Sequence, residues 1–160
     1  MTEPREILTW SRFGELSRGL AEQVAADDFR PDAILGIARG GLLVAGALAY
    51  DLDVKPVFLI NVEFYTGVDE RLQAPVILPP QLQVKDLANL KILIADDVAD
   101  TGATLEVVRD ICADAVAEVR TAVLYEKPIS TVTCDYVGLR TDRWIVFPWS
   151  ADQPVAYPAP

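Results

Sequence analysis

Histidine is missing altogether from this chain of 160 residues, which excludes Ser-His-Asp catalysis and histidine-ligated zinc. Cysteine is nearly missing. Cys112 and Cys134 stand alone, in neither a CxxC nor a Cys/His pattern, and their apolar neighbours mark them as buried free thiols of a reducing compartment. Bases are few, 14 against 24 acids, for a formal net charge of −10. Broad contact with nucleic acid or an anionic membrane needs a basic face, so both are expected to be absent as partners. An anionic substrate is still admissible where a few bases and a metal are focused locally. The longest apolar stretch, Gly40 to Tyr50, is too short to span a bilayer. Acids interrupt the opening MTEPREILTW, so it does not read as a signal peptide. A cytoplasmic, soluble protein is expected.

The chain has plenty of apolar residues, at 51% hydrophobic, enough for one globular domain over residues 1–160. Phe13, Leu16, Leu20 and Val24 recur at helical spacing behind Thr9 or Ser11 as caps, and Arg30-Pro31-Asp32 ends that helix. Ala33 to Ile37 reads as a buried strand, Arg39-Gly40-Gly41 as a tight turn, and LLVAGALAYDL as a helix suited to packing on a sheet. Lys55 to Glu63 reads as the next strand. Strand, turn, helix and strand in that order imply a parallel sheet. Periodicity then fails from Phe64 to Leu90, a stretch that suits a lid or binding loop as well as a loose excursion or small hairpin. Val119 to Tyr125, Asp135 to Leu139 and Arg143 to Trp149 read as further strands, and the proline-rich tail as extended chain on the surface.

The chain is organised around KILIADDVADTGATL, Lys91 to Leu105. A short buried strand, Ile92 to Ala95, runs into Asp96 and Asp97, then Asp100, then Thr101, Gly102, Ala103 and Thr104, after which a helix begins. The open amides of such a turn, with the positive end of the following helix, make an anion cradle. Acids ahead of it would repel a bare anion. They suit a ligand that also carries hydroxyls, or a divalent cation. Helix capping accounts for Asp100 and Thr101 but leaves two adjacent, mutually repelling acids at the strand end unexplained.

This stretch closely resembles the ribose-phosphate signature of the type I phosphoribosyltransferases, in which an apolar strand, two acids and two variable residues precede Asp-Thr-Gly-x-Thr. At about one in twenty per position, its six fixed residues are a negligible coincidence. The resemblance implies an α/β fold, a parallel Rossmann-like sheet flanked by helices, with a mobile loop at about 64–90 and a base-binding hood at about 135–160 formed largely by the C-terminal segment. It further implies that Thr101, Gly102, Ala103 and Thr104 hold the 5-phosphate of phosphoribosyl pyrophosphate. Asp96 and Asp97 would accept from the ribose hydroxyls and help hold Mg2+. Asp100 matches the acid that serves as general base. Arg39 and Gly40 fall where the family places its pyrophosphate loop, often with a non-proline cis peptide. Tyr65 and Thr66 fall in the mobile loop that shields the reacting centre.

The same comparison implies the base. Lys127 resembles the lysine that reads the oxygen at purine C6. Within DYVGLRTDRWIVFPW, Asp135 to Trp149, Trp144 matches the ring that stacks on the base and Ile145 the residue whose backbone meets its edge; Trp149 is read as packing. The function implied is transfer of the phosphoribosyl group to a 6-oxopurine in purine salvage, by a homodimer or higher homo-oligomer. Ser150 stands where many such enzymes carry an acid, so the choice among guanine, xanthine and hypoxanthine stays open. The rivals are a phosphoribosyl-pyrophosphate-sensing regulator of the same fold, a transferase for another base, and a phosphoryl-accepting receiver domain.

Overall fold

A computed structural model describes residues 3–66 and 73–156; the side chains of Tyr65, Thr66, Gln73 and Ala74 lie outside the described residues. The elements in chain order are β1 (Arg5–Ile7), α1 (Trp10–Ala26), β2 (Ala33–Ile37), α2 (Gly40–Asp51), β3 (Val57–Thr66), β4 (Gln73–Leu78), β5 (Lys91–Ala99), α3 (Ala103–Ala113), β6 (Glu118–Glu126), β7 (Tyr136–Arg140) and β8 (Trp144–Val146), with a 3-10 turn at Val84–Leu87. Six strands form the main sheet in the order β4-β3-β2-β5-β6-β7. All its pairs are parallel except β3 with β4.

Period-two alternation divides the core. Leu93 and Ala95 of β5 face α1 and α2 with Leu20, Val24, Val44 and Leu48, whereas Ile92 and Ile94 face α3 with Leu105, Val108 and Cys112. A strand apolar on both faces is what a sheet with helices on both sides requires. Thr9 caps α1 by accepting the Arg12 N–H at 3.1 Å, as its position predicts. Two glycines let α2 lie close to the sheet. A Cβ on Gly36 would stand 2.9 Å from that of Ala45, and one on Gly41 would stand 2.5 Å from the Ala95 carbonyl oxygen.

The sheet order also positions the site. From β2 the chain crosses through α2 to β3 on one side, and from β5 through α3 to β6 on the other. The β2/β5 boundary is therefore the topological switch point, where the carboxyl ends of the strands diverge and leave a crevice.

Several expectations need correction. The β5 strand does not stop at the acids but runs on to Ala99, with Asp96 paired to Val123 and Val98 to Tyr125. Gly40 and Gly41 do not form a free turn, because they open α2. Within 64–90 the described residues hold the end of β3, all of β4 antiparallel to it, and the 3-10 turn; 67–72, the centre of the expected lid, lies outside the described residues. Most of Asp135 to Leu139, assigned to the hood, is β7 at the edge of the main sheet. The small second sheet instead pairs β8 with β1, a strand that three residues of mixed polarity did not announce. Among the described residues, no helix is long and apolar enough to cross a membrane.

Gly36→Val should push α2 off the sheet and lower stability by about 2–3 kcal/mol. Urea unfolding should show a lower midpoint at unchanged slope; an unmoved midpoint would contradict this packing.

Candidate active site

Two helix N-termini open onto the crevice, and neither is capped by a side chain. α2 begins after Arg39 and α3 after Gly102. The Ala103 N–H is taken by the Thr101 hydroxyl at 3.3 Å; the remaining first-turn N–H groups lie at the positive end of a helix dipole, which favours an anion. The Ala38–Arg39 peptide is cis, as the resemblance led us to expect of this loop. Gly102 has φ +86, and a Cβ there would meet Ser130 Oγ at 2.7 Å and Val132 N at 2.9 Å. Glycine is the residue that accepts both the left-handed backbone and the close approach. Behind it, the Thr131 N–H and hydroxyl both donate to the Thr101 carbonyl, at 2.9 and 3.1 Å. The phosphate-sized concavity of about 80 Å³ that results is lined by Asp96 and by Val98 to Leu105.

Between the two helix ends lie Asp96, buried, and Asp97, half-buried. Each carboxylate accepts the next residue's N–H at 2.8 Å. Burial, and after it the charge of Asp97, holds Asp96 well above the ordinary carboxyl range; burial raises Asp97 also. A Cβ on Gly40 would collide with the Asp97 carboxylate, so the first glycine of α2 leaves room for this side chain. Among the described residues no group of three or more acids, cysteines or histidines could hold a metal by itself. Two carboxylates are nevertheless enough for Mg2+, which keeps several waters and takes its other oxygens from a phosphorylated substrate. A pair driven to keep a proton has the donor chemistry that such a cation would satisfy.

The crevice broadens into a cavity of about 900 Å³, bounded by Arg39, Gly40, Asp96, Asp97 and Thr104 on one side and by Trp149, Ser150 and Asp152 to Val155 of the tail on the other. The tail was expected to lie as extended chain on the surface, within the hood at about 135–160. Its Asp152 and Gln153 instead face this cavity, something that composition alone did not signal. Beside it, under the β1/β8 pair, a second cavity of about 440 Å³ brings together Asp100, Lys127, Trp144 and Ile145. Lys127 donates through Nζ to the Arg143 carbonyl at 2.7 Å, which leaves it further hydrogens for a ligand. Trp144 is 67% exposed, free to take a planar partner, while Trp149 packs flat on Phe147 at 5.0 Å. Arg5 also lines this cavity and was not singled out from sequence.

The family profile described as "Phosphoribosyl transferase domain" matches residues 5–154. The chain belongs to this family. As a phosphoribosyltransferase it is 33% identical over 151 residues to a xanthine-guanine phosphoribosyltransferase of Ruegeria sp. (strain TM1040), covering 89% of this chain and 83% of that protein. It is 35% identical over 149 residues to the enzyme of the same name from Cereibacter sphaeroides, covering 89% and 84%. The crystal structure of a purine phosphoribosyltransferase from Pyrococcus horikoshii Ot3 superposes with a TM-score of 0.83 at 42% identity, over 96% of this chain and 98% of that one. The mostly parallel sheet and single-domain α/β fold agree with that neighbour. Membership in an enzyme family of this kind sets aside the receiver-domain alternative.

Asp97→Asn keeps the acceptor for the Val98 N–H but removes the neighbouring charge. In metal-free buffer at neutral pH it should stabilise the free protein by roughly 1 kcal/mol. The folded pair binds protons more tightly than the unfolded chain, so wild-type stability falls as pH rises above the free carboxyl value of 3.8. Denaturation at pH 4 and pH 7 should therefore show the gain shrinking at the lower pH, and equal gains at both would contradict the buried-pair account.

Proposed function

We propose that this phosphoribosyltransferase moves the phosphoribosyl group of phosphoribosyl pyrophosphate onto a free 6-oxopurine, giving the purine mononucleotide and pyrophosphate in purine salvage. The observation that carries this reading is the placing of two uncapped helix N-termini on either side of the Asp96–Asp97 pair, with the Lys127–Trp144 cavity alongside. An anion cradle at each end with hydroxyl acceptors between them matches a ribose that carries a 5-phosphate and a 1-pyrophosphate. The names of the relatives support a purine as the acceptor.

On this reading the amides and hydroxyls from Thr101 to Thr104 hold the 5-phosphate. Asp96 and Asp97 accept hydrogen bonds from the ribose hydroxyls and hold Mg2+, which supplies neutralisation of the leaving pyrophosphate. Arg39 and the Gly40 amide bind the pyrophosphate as its bond to C1 loosens, the guanidinium forking onto phosphate oxygens. Trp144 stacks on the purine and the backbone of Ile145 meets its edge. Lys127 donates to the oxygen at C6, where adenine would present an amino group instead. Asp100 takes the proton from the attacking ring. Most of the acceleration comes from orientation and leaving-group neutralisation. Tyr65 and Thr66 end β3, and their role is shielding the reacting centre from water. The same reading includes a homodimer, checked by light scattering, and a cytoplasmic location.

The test is incubation with phosphoribosyl pyrophosphate, Mg2+ and each of guanine, xanthine, hypoxanthine and adenine, followed by detection of nucleotide. Formation from the 6-oxopurines alone is expected; silence with all bases refutes the reading. Asp100→Ala should cut turnover by about 10²–10³ with little change in affinity for the sugar phosphate. Parallel loss of both would remove Asp100 from the chemistry. Lys127→Ala should narrow the preference for 6-oxo over 6-amino purines, and an unaltered preference would place the lysine outside the site.

A further inference from the structure

The hood cavity carries three charged side chains, Arg5, Asp100 and Lys127. The reading above uses two of them, Lys127 at the 6-position and Asp100 at the five-membered ring. The edge of the base that bears the 2-substituent is left, and so is Arg5. We propose that Arg5 is a specificity-determining residue that favours a 2-oxo purine, xanthine, over the 2-amino purine guanine; this rests on the proposed function.

Arg5 is held in place by structure rather than by its own contacts. β1 runs parallel to β8 with Arg5 opposite Trp144, so both side chains stand on one face of the small sheet. The next residue, Glu6, accepts a hydrogen bond from the hydroxyl of fully buried Tyr125 at 3.3 Å, and the Leu8 N–H donates to the Val146 carbonyl at 3.0 Å. The strand carrying Arg5 is thus tied at its middle residue and just beyond its C-terminal end, the first tie reaching the buried core. Among the described residues the Arg5 guanidinium takes part in no ion pair. Among the described residues it is a cation presented to the cavity without a carboxylate in ion-pair contact.

Hydrogen-bond complementarity then ranks the bases. A guanidinium only donates. The 2-oxo group of xanthine accepts, while the 2-amino group of guanine presents further donors to a donor, and hypoxanthine presents neither. Xanthine is also the most acidic of the three, and a cation near its ring favours the anion. Among the described residues, Asp100 is the one carboxylate lining this cavity that could receive a 2-amino group. Ser150, which also lines the cavity, has a neutral hydroxyl that donates and accepts alike and so does not discriminate.

The experiment is steady-state kcat/KM for xanthine, guanine and hypoxanthine at saturating phosphoribosyl pyrophosphate, in the wild type, Arg5→Gln, Arg5→Lys and Ser150→Asp. The wild type should favour xanthine over guanine. Arg5→Gln should lower the xanthine-to-guanine ratio by about tenfold, the loss of one charge-assisted hydrogen bond. Arg5→Lys, which keeps the charge but not the fork, should fall between them. Ser150→Asp should move the ratio toward guanine by adding the missing acceptor, and it carries the test if the Arg5 variants do not fold by their melting curves. A wild type that prefers guanine, or a ratio unmoved in Arg5→Gln, overturns the inference. So does an equal loss for all three bases. Failure of the underlying reading looks different, since no purine would then yield nucleotide in the wild type.

Discussion

Two carboxylates on consecutive residues of a buried strand are costly, and the surroundings of Asp96 and Asp97 are built to tolerate that cost rather than remove it. No arginine or lysine pairs with either acid among the described residues. Each is turned onto the next backbone N–H instead, a partner that leaves other lone pairs open. An ion pair would stabilise the free protein and fill the acceptors that a ligand must use. The two glycines that start α2 follow from the same constraint, because a side chain at either position would strike these acids or the strand that carries them. The helix N-terminus thereby comes close to the pair, and its dipole offsets part of the negative charge.

This arrangement also lets a chain of net charge −10 accommodate a polyanion on the proposed reading. The binding groups for phosphate would be mainly backbone amides at two helix ends, which carry no formal charge and do not appear in a count of bases. Among the described residues, Arg39 at one cavity and Arg5 and Lys127 at the other add the positive charge. A large basic surface would attract nucleic acid as readily as a sugar phosphate; amide cradles of fixed size do not.

Parts of this design can be read along the chain and parts cannot. The signature from Asp96 to Thr104 is legible because each residue type there answers a local demand of geometry or charge, and local demands leave local patterns. The helix stripe of Phe13, Leu16, Leu20 and Val24 is legible for the same reason. The end of β5 was misjudged because acids have low strand propensity, and here sheet pairing with β6 overrides it. β1 was missed because its meaning lies in Trp144–Val146, nearly 140 residues away, and a three-residue strand has too few positions to show alternation. The place of Asp152 beside the acid cavity is likewise long-range. Sequence therefore announced the segment from Asp96 to Thr104 and much of the hood, and was silent on the strand β1 that pairs with it.

The long-range contacts are also what make the separate cavities one site. The segment after β6 starts with the Lys127 N–H donating to the Ala99 carbonyl and continues to Thr131, whose N–H and hydroxyl both hold the Thr101 carbonyl. One short loop thus fastens to the acid-bearing strand at one end and to the phosphate turn at the other, while its first side chain reaches the base cavity. Glu126, buried one residue earlier, pins the far side of this loop by accepting the Cys134 N–H at 2.7 Å and the Arg140 guanidinium at 3.0 Å. The phosphate turn and Lys127 are thus linked through two backbone hydrogen bonds, Thr131 to Thr101 and Lys127 to Ala99. On the proposed reading, sugar phosphate and purine would be bound by different elements that share this loop, so the two subsites are held in one geometry.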